Sequence, residues 1–285
     1  MAPRFPPSCM GPKHPDFALL SKIRDGLLSK IGGEASLAVQ LPLLMKEAVD
    51  FVLDPVCTGR TKMEELDKVE KTFIGLKIEH YLRDWLGVPK GLKRDLHIDG
   101  VEVDIKNTIG TTWMIPPETY RTEEPCLLIA SAKFDGRCWL GIVVARNAYL
   151  TGEDGNRDKK RQISSEGRRH VMWLVEDEPY PVSTWDCIDM VRFRELRKVS
   201  PGEKRAAEFF RENIGKIIHR SIVQALLHDQ LDYMKRVRGN GGARDILQAE
   251  GVRVLNGYWL ADRAVAKSQG VELSSSDEFL ALRVT

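Results

Sequence analysis

The sequence predicts an α/β protein in which a mixed sheet flanked by helices is followed by a smaller unit of helices and short strands. Three observations predict it. Helical periodicity dominates residues 17–86. A tight hairpin and apolar strand runs follow, up to about residue 178. After an acidic, Pro-bearing crossing at 176–181 the pattern returns to helices and ends in short strands. The expected division is therefore 1–180 and 181–285.

Residues up to about 15 are rich in Pro and are expected to be poorly ordered. A helix is predicted over 17–31, with apolar Leu20, Ile23, Leu27 and Leu28, stopped by Gly32-Gly33. A second is predicted over 37–53, started or interrupted at Pro42 and ended by Asp54-Pro55. A long helix is expected from 62 to 86, closed by Gly87 and Pro89, with Leu66, Val69, Phe73 and Leu76 as its first apolar stripe. Glu79 stands three residues after Leu76 and three before Leu82, so it lies on or beside the apolar face. A carboxylate there needs a partner, either Arg83 at i+4 or something beyond the helix.

Residues 92–106 organise the rest. Asp99-Gly100 is a two-residue turn signal flanked by alternating apolar residues, Leu96 and Ile98 before it and Val101, Val103 and Ile105 after it. That turn pairs Ile98 with Val101, His97 with Glu102, Leu96 with Val103, and Asp95 with Asp104. Asp95, His97, Glu102, Asp104 and Lys106 then share one face. Opposed aspartates repel, so the pair calls for a cation, either Lys106 or a divalent metal. Pro116 and Pro117 exclude a central strand just afterwards. The runs 126–132 and 139–145 suit buried strands joined around Asp135-Gly136, and a strand is expected over 172–175. Residues 203–237 read as mostly helical, with Phe209, Phe210, Ile214, Ile217, Ile218, Ile222, Leu226 and Leu227 as anchors. A Gly-rich turn at 239–242, a short helix at 243–250 and strands at 252–255 and 279–284 complete a pattern that fits a small winged-helix or helix-turn-helix-like unit.

Composition narrows the function classes. With 42% hydrophobic and 29% charged residues the chain has a soluble globular profile, and its net charge of only +2 leaves any polyanion to local patches. The longest apolar runs are far too short to span a bilayer, and the start lacks a secretory apolar core, so no membrane partner is expected. Cys9, Cys57, Cys126, Cys138 and Cys187 are odd in number and form no CxxC pair, so neither a zinc site nor a disulfide framework is suggested, and a reducing cytoplasm is the expected location.

Glu79, Asp95, Asp104 and Lys106 carry the chemistry. Carboxylates are hard oxygen ligands that hold Mg²⁺ while leaving positions for water and phosphate. A lysine two residues after a ligand shares its strand face and can neutralise a phosphoryl transition state. Glu79, Asp95 and Asp104 are thus the candidate metal ligands and Lys106 the candidate catalytic cation. Glu102 and His97 are expected to be bystanders or outer neighbours.

The strings 70–79 (Glu70 to Glu79), 101–106 (Val101 to Lys106), 113–118 (Trp113 to Glu118) and 155–161 (Gly155 to Arg161) resemble the NaeI-type (type IIE) restriction endonuclease family over roughly residues 55–175. The resemblance implies a Mg²⁺-dependent homodimer of the PD-(D/E)xK nuclease fold that cuts both strands of a GC-rich palindrome of the GCCGGC kind. It also implies a C-terminal helix-turn-helix domain that binds a second DNA site as effector, and a companion methyltransferase. Similarity beyond 185 is looser.

DNA contacts are expected near Trp113 and from Asn156, Arg157, Lys159, Lys160 and Arg161, since such side chains clamp phosphates or read base edges. In the second unit Lys235, Arg236, Arg238 and Arg244 flank the Gly-rich turn and suit phosphate contacts. The alternatives are a repair or mismatch-nicking nuclease of the same fold, which would nick one strand or need a partner protein, and a non-enzymatic helix-turn-helix transcriptional regulator, which would have no use for an opposed aspartate pair. An idle nuclease fold serving as a structural DNA-binding protein is a further alternative.

Overall fold

A computed structural model describes residues 4–131, 136–152, 155–181 and 183–283. The chain forms two compact units, Met1–Val52 with Met63–Pro181, and Leu53–Lys62 with Val182–Thr285. The short stretch 53–62 thus groups with the C-terminal unit.

In unit 1, α1 (Phe17–Ile31) ends at Gly32, whose φ of 82° closes the helix in the left-handed conformation. The helix α2 (Glu34–Leu53) starts earlier than its apolar pattern suggests and carries Pro42 inside it. The next helix, α3 (Pro55–Thr58), belongs to unit 2. The long helix α4 spans Lys68–Leu86 and not 62–86, because Asp67 and Glu70 form a reciprocal capping box that fixes its start. Its buried face is Ile74, Ile78, Leu82 and Leu86. The expected stripe is thereby corrected: Val69, Phe73 and Leu76 are 64%, 52% and 50% exposed, and Leu66 is buried ahead of the helix.

The hairpin β1 (Leu96–Ile98) and β2 (Val101–Thr108) leads to the two-residue β3 (Met114–Ile115) and the single turn α5 (Pro117–Tyr120), where the prolines stop extended pairing. Strands β4 (Pro125–Ser131) and β5 (Arg137–Val144) follow, then the short β6 (Arg161–Gln162), and β7 (Met172–Pro179), which runs longer than its apolar core suggests. The connection expected around Asp135 lies outside the described residues, which resume at Gly136. The main sheet has the order β1-β2-β4-β5-β7. Only β2 and β4 run parallel. Every residue of β4 is buried, as a continuous apolar run in a sheet centre requires. One layer of the core gathers Trp113, Cys126, Leu128, Trp139 and Val143, while α1 and α4 pack against β5 and β2.

The N-terminal stretch contradicts the expectation of disorder over its described residues. Phe5 is buried, stacks on Trp113 and Trp173 at 5.3 and 5.0 Å, and meets Trp139 edge-on. Asp16 is 2% exposed and is held by Arg146 and by the Tyr149 hydroxyl at 3.2 Å. An apolar anchor and a buried ion pair outweigh the Pro-rich composition.

Unit 2 contains α6 (Met190–Leu196), α7 (Gly202–Glu212), β8 (Ile217–His219), α8 (Arg220–Leu226), α9 (Ala243–Ala249), β9 (Val252–Asn256), α10 (Leu260–Ser268) and β10 (Glu278–Arg283). The predicted helical run 203–237 is therefore corrected. Asn213 and Gly215 end α7, and Ile217 and Ile218, expected as helix anchors, lie in an edge strand. The sheet is antiparallel in the order β8-β10-β9, and its core includes Phe193, Phe209, Phe210, Ile222 and Phe279.

Candidate active site

The turn positions the site. Asp99 and Gly100 adopt φ of 46° and 83°, the two left-handed residues a tight hairpin needs. The pairs Ile98–Val101, His97–Glu102 and Leu96–Val103 form as the alternation predicts. Asp95 lies one residue before β1. Its Oδ2 accepts the Ile105 amide at 2.7 Å, and its carboxyl hydrogen-bonds to that of Asp104. Lys106 Nζ lies 2.7 Å from Asp104 Oδ1 and also donates to the Ile105 carbonyl at 3.1 Å. The buried Thr119 hydroxyl donates to Asp104 Oδ2 at 2.7 Å. Both oxygens of Asp104 are therefore engaged, and the lysine remains 21% exposed.

The two acids separate in strength. Burial pushes Asp95 up to about 7, helped by the hydrogen bond to Asp104 and by the charges of Glu79 and Asp104, while the Ile105 amide opposes the rise. Burial also works against a charge on Asp104. The Lys106 ammonium and the hydrogen bonds from Asp95, Lys106 and Thr119 outweigh it and hold Asp104 below the ordinary range. The shared proton thus rests on Asp95 and the negative charge on Asp104. Glu79 is half-buried on α4, and its charge is felt at Asp95. It does not close a triad, since Glu79, Asp95 and Asp104 are not a group whose oxygens all lie within 4.8 Å. Two carboxyls in contact, one of which holds its proton up to about 7, with a third acid nearby, suit a hard divalent cation that takes the proton's place.

A mixed sheet flanked by helices, with an acid pair and a lysine on adjacent strands, is consistent with a restriction-endonuclease-like fold. Residues 38–285 match the family model described as Restriction endonuclease NaeI. The chain belongs to this family. It is also similar to the Type II restriction enzyme NaeI of Lentzea aerocolonigenes, at 33% identity over 252 residues, covering 85% of this chain and 77% of that protein. The chain is thus a NaeI-family restriction endonuclease, and among the described residues no helix is long and apolar enough to cross a membrane.

Two neighbours of the site, Thr119 and Arg94, escape sequence reasoning, and a third, Glu102, is expected from the sequence only as a bystander or outer neighbour. Thr119 follows a Pro-Pro turn and carries no motif. Arg94 pairs with Glu124, donates to the Glu118 carbonyl and places positive charge near Asp104. Glu102 accepts the amides of Leu92, Lys93 and Arg94 at 2.8, 3.2 and 2.9 Å, so it organises the loop before Asp95. That approach needs Gly91, where a Cβ would stand 2.2 Å from Glu102 Oε2.

The expected DNA contacts divide. Trp113 is a core residue, and its placement as a DNA contact is corrected. It is 1% exposed, and its indole N–H donates to the Ile129 carbonyl at 2.8 Å. Arg161 donates to Asn147 Oδ1 at 2.8 Å and lies over the Tyr120 ring, so it braces the loop. Asn156 Oδ1 accepts the Asp158 and Lys160 amides, which shapes the turn. Arg157, Lys159 and Lys160 are exposed beside it. In unit 2, Lys235 and Arg238 are exposed. Arg236 bonds Gln230 at 2.8 Å and lies 3.6 Å from Glu203, and Arg244 lies 3.6 Å from Asp262. Arg238 and Arg244 line a cavity of about 350 Å³ together with Arg220, Tyr258 and Trp259.

Proposed function

We propose that the chain is a Mg²⁺-dependent type II restriction endonuclease of PD-(D/E)xK architecture that hydrolyses both strands of double-stranded DNA at a GC-rich palindrome of the GCCGGC kind. The juxtaposition of Asp95, Asp104 and Lys106 carries this reading, with Lys106 Nζ 2.7 Å from Asp104. Asp95 and Asp104 hold the ion, and Glu79 supports it from α4. When bound, the metal supplies Lewis acidity toward the phosphoryl oxygen and a water of lowered pKa. Lys106 faces the attacked phosphate and offsets the charge that accumulates there. Thr119 keeps Asp104 oriented and ionised. Arg157, Lys159 and Lys160 grip the phosphate backbone.

Unit 1 is the catalytic domain in this reading, and unit 2 is a helix-turn-helix-like domain that binds a second DNA site as effector. The order α7, β8, α8, α9, β9, α10, β10 with the sheet β8-β10-β9 supports a winged-helix-like plan, with α10 inserted between the last two strands, in which α9 is the groove-facing helix. The working form is a homodimer, which the exposed apolar face of Val69, Phe73 and Leu76 on α4 suits. A cytoplasmic enzyme of this activity requires a companion methyltransferase to protect host DNA.

The test is Lys106→Ala incubated with plasmid and Mg²⁺ beside the wild type. Wild type is expected to linearise the plasmid at a site that sequencing of the fragment ends defines. The variant is expected to lose cleavage while retaining DNA binding in a gel-shift assay. Cleavage by the variant at the wild-type rate would remove Lys106 from the mechanism. Nicking of one strand only by the wild type would favour a repair-type nuclease.

A further inference from the structure

A second set of donor atoms in unit 1 uses none of the residues above. Cys9 Sγ lies 3.5 Å from His170 Nδ1, and His14 Nε2 lies 2.8 Å from the same nitrogen. The three donor atoms all fall within 4.8 Å of one another. The backbone enforces the arrangement. The Cys9 amide donates to the Arg169 carbonyl at 2.7 Å, and the Ser8 hydroxyl donates to the Val171 carbonyl at 2.5 Å. The His170 ring stacks flat on Tyr149, with centroids 4.0 Å apart and planes 9° from parallel.

We propose that Cys9, His14 and His170 bind one Zn²⁺-type divalent cation that fastens the N-terminal segment to the body of unit 1. Tetrahedral zinc, with Zn–S about 2.3 Å and Zn–N about 2.0–2.1 Å, sets sulfur and nitrogen ligands roughly 3.5 Å apart and two nitrogens about 3.3 Å apart. The Cys9–His170 spacing matches. The histidines open by about half an ångström to admit the ion. Each imidazole also has a carboxylate behind its other nitrogen, with His14 Nδ1 3.9 Å from Asp16 Oδ2 and His170 Nε2 4.0 Å from Glu166 Oε1. Carboxylates so placed orient metal-bound histidines and raise their basicity.

Without metal the pair is held by a hydrogen bond. His14 Nδ1 accepts the Asp16 amide at 3.1 Å, which puts the His14 proton on Nε2 for donation to His170. On binding, that proton moves to Nδ1, the hydrogen bond from the Asp16 amide is given up, and Nδ1–H turns toward the Asp16 carboxylate. The Cys9 thiol gives up its proton to solvent and becomes the thiolate ligand. One proton leaves per ion, and the exposed side of Cys9 leaves the fourth position to water. A thiolate with two imidazoles selects zinc, cobalt or copper over magnesium, so this site does not compete with the carboxylate pair for its ion.

The test is titration of the full-length, reduced, chelator-treated protein with Co²⁺. The expected result is one equivalent bound with visible bands of tetrahedral cobalt and a near-ultraviolet thiolate charge-transfer band, both displaced by Zn²⁺. Cys9→Ala and His170→Ala are expected to abolish the bands, while Asp104→Asn retains them. Glu166→Ala is expected to weaken binding by about tenfold. Should His170→Ala fail to fold, Cys9→Ala decides, because Cys9 is exposed. Absence of a charge-transfer band in the wild type, its survival in Cys9→Ala, or its loss in Cys57→Ala overturns the proposal.

Discussion

Asp95 gives the sharpest prediction, because its carboxyl is pushed up to about 7 while Asp104 stays ionised. A divalent cation at this pair displaces the Asp95 proton, so its apparent affinity is expected to depend on pH through that one group. With a value near 7, Mg²⁺ or Ca²⁺ is expected to bind about tenfold more weakly at pH 6 than at pH 8, and about a hundredfold more weakly at pH 5. The sign is fixed by the direction of the shift. In the metal-free protein the folded state keeps a proton that the unfolded chain releases near 3.8. Asp95 therefore contributes stability that is lost as pH rises from about 4 to 7, and a cation restores it above that range. Calorimetric titration with Ca²⁺ between pH 5 and 8.5 measures both the affinity and the proton released. Asp95→Asn removes the titrating group and is expected to flatten the dependence. A wild-type affinity that does not change below pH 7, or release of no proton, would refute the assignment of the ion to this pair.

Three further outcomes test the surrounding reading. Trp113→Ala is expected to cost ~3–5 kcal/mol of stability by emptying a packed core, read by denaturant unfolding, while Trp113→Phe leaves DNA affinity near wild type; a selective loss of DNA binding in the Phe variant would return Trp113 to the interface. The triple change Arg157→Ala, Lys159→Ala, Lys160→Ala is expected to reduce the slope of log affinity against log salt by up to about 2.7, at about 0.9 per lost phosphate contact, and an unchanged slope would place DNA elsewhere. Phe73→Glu with Leu76→Glu is expected to shift the protein to monomer in sedimentation equilibrium without loss of helix content, and an unaltered dimer would clear α4 of that role.

Local chemistry decides how much of this was legible in the sequence. The hairpin is readable because turn residues and alternation agree along both arms, and its register then places Asp104 and Lys106 on one face. Helix α4 is readable in existence and less so in facing. Val69, Phe73 and Leu76 have a helical spacing as good as that of Ile74, Ile78 and Leu82, and only tertiary packing chooses between two apolar stripes. Strand β8 is hidden because Ile217 and Ile218 continue the apolar spacing of the helix before them. The docking of residues 5–16 depends on partners more than a hundred residues away, namely Trp113, Arg146 and His170, which no local pattern records. Thr119 and Arg94 meet partners 15 and 24–30 residues away, which no local pattern records either.

Glu102 shows how the acid pair is held together. Strand pairing fixes Asp104, but Asp95 precedes β1 and needs another constraint. Glu102 supplies it by gathering the amides of Leu92, Lys93 and Arg94, the residues that lead directly into Asp95, and Gly91 leaves the space for its carboxylate. The Ile105 amide then captures Asp95 from the opposite strand. Scaffold hydrogen bonds on both sides thus hold two carboxyls together that repel whenever both are ionised. Burial of that pair opposes folding, and a hydrophobic replacement would avoid the cost. A hairpin that keeps them in contact, with an ammonium two residues on, is the arrangement the proposed cation and phosphate would call for.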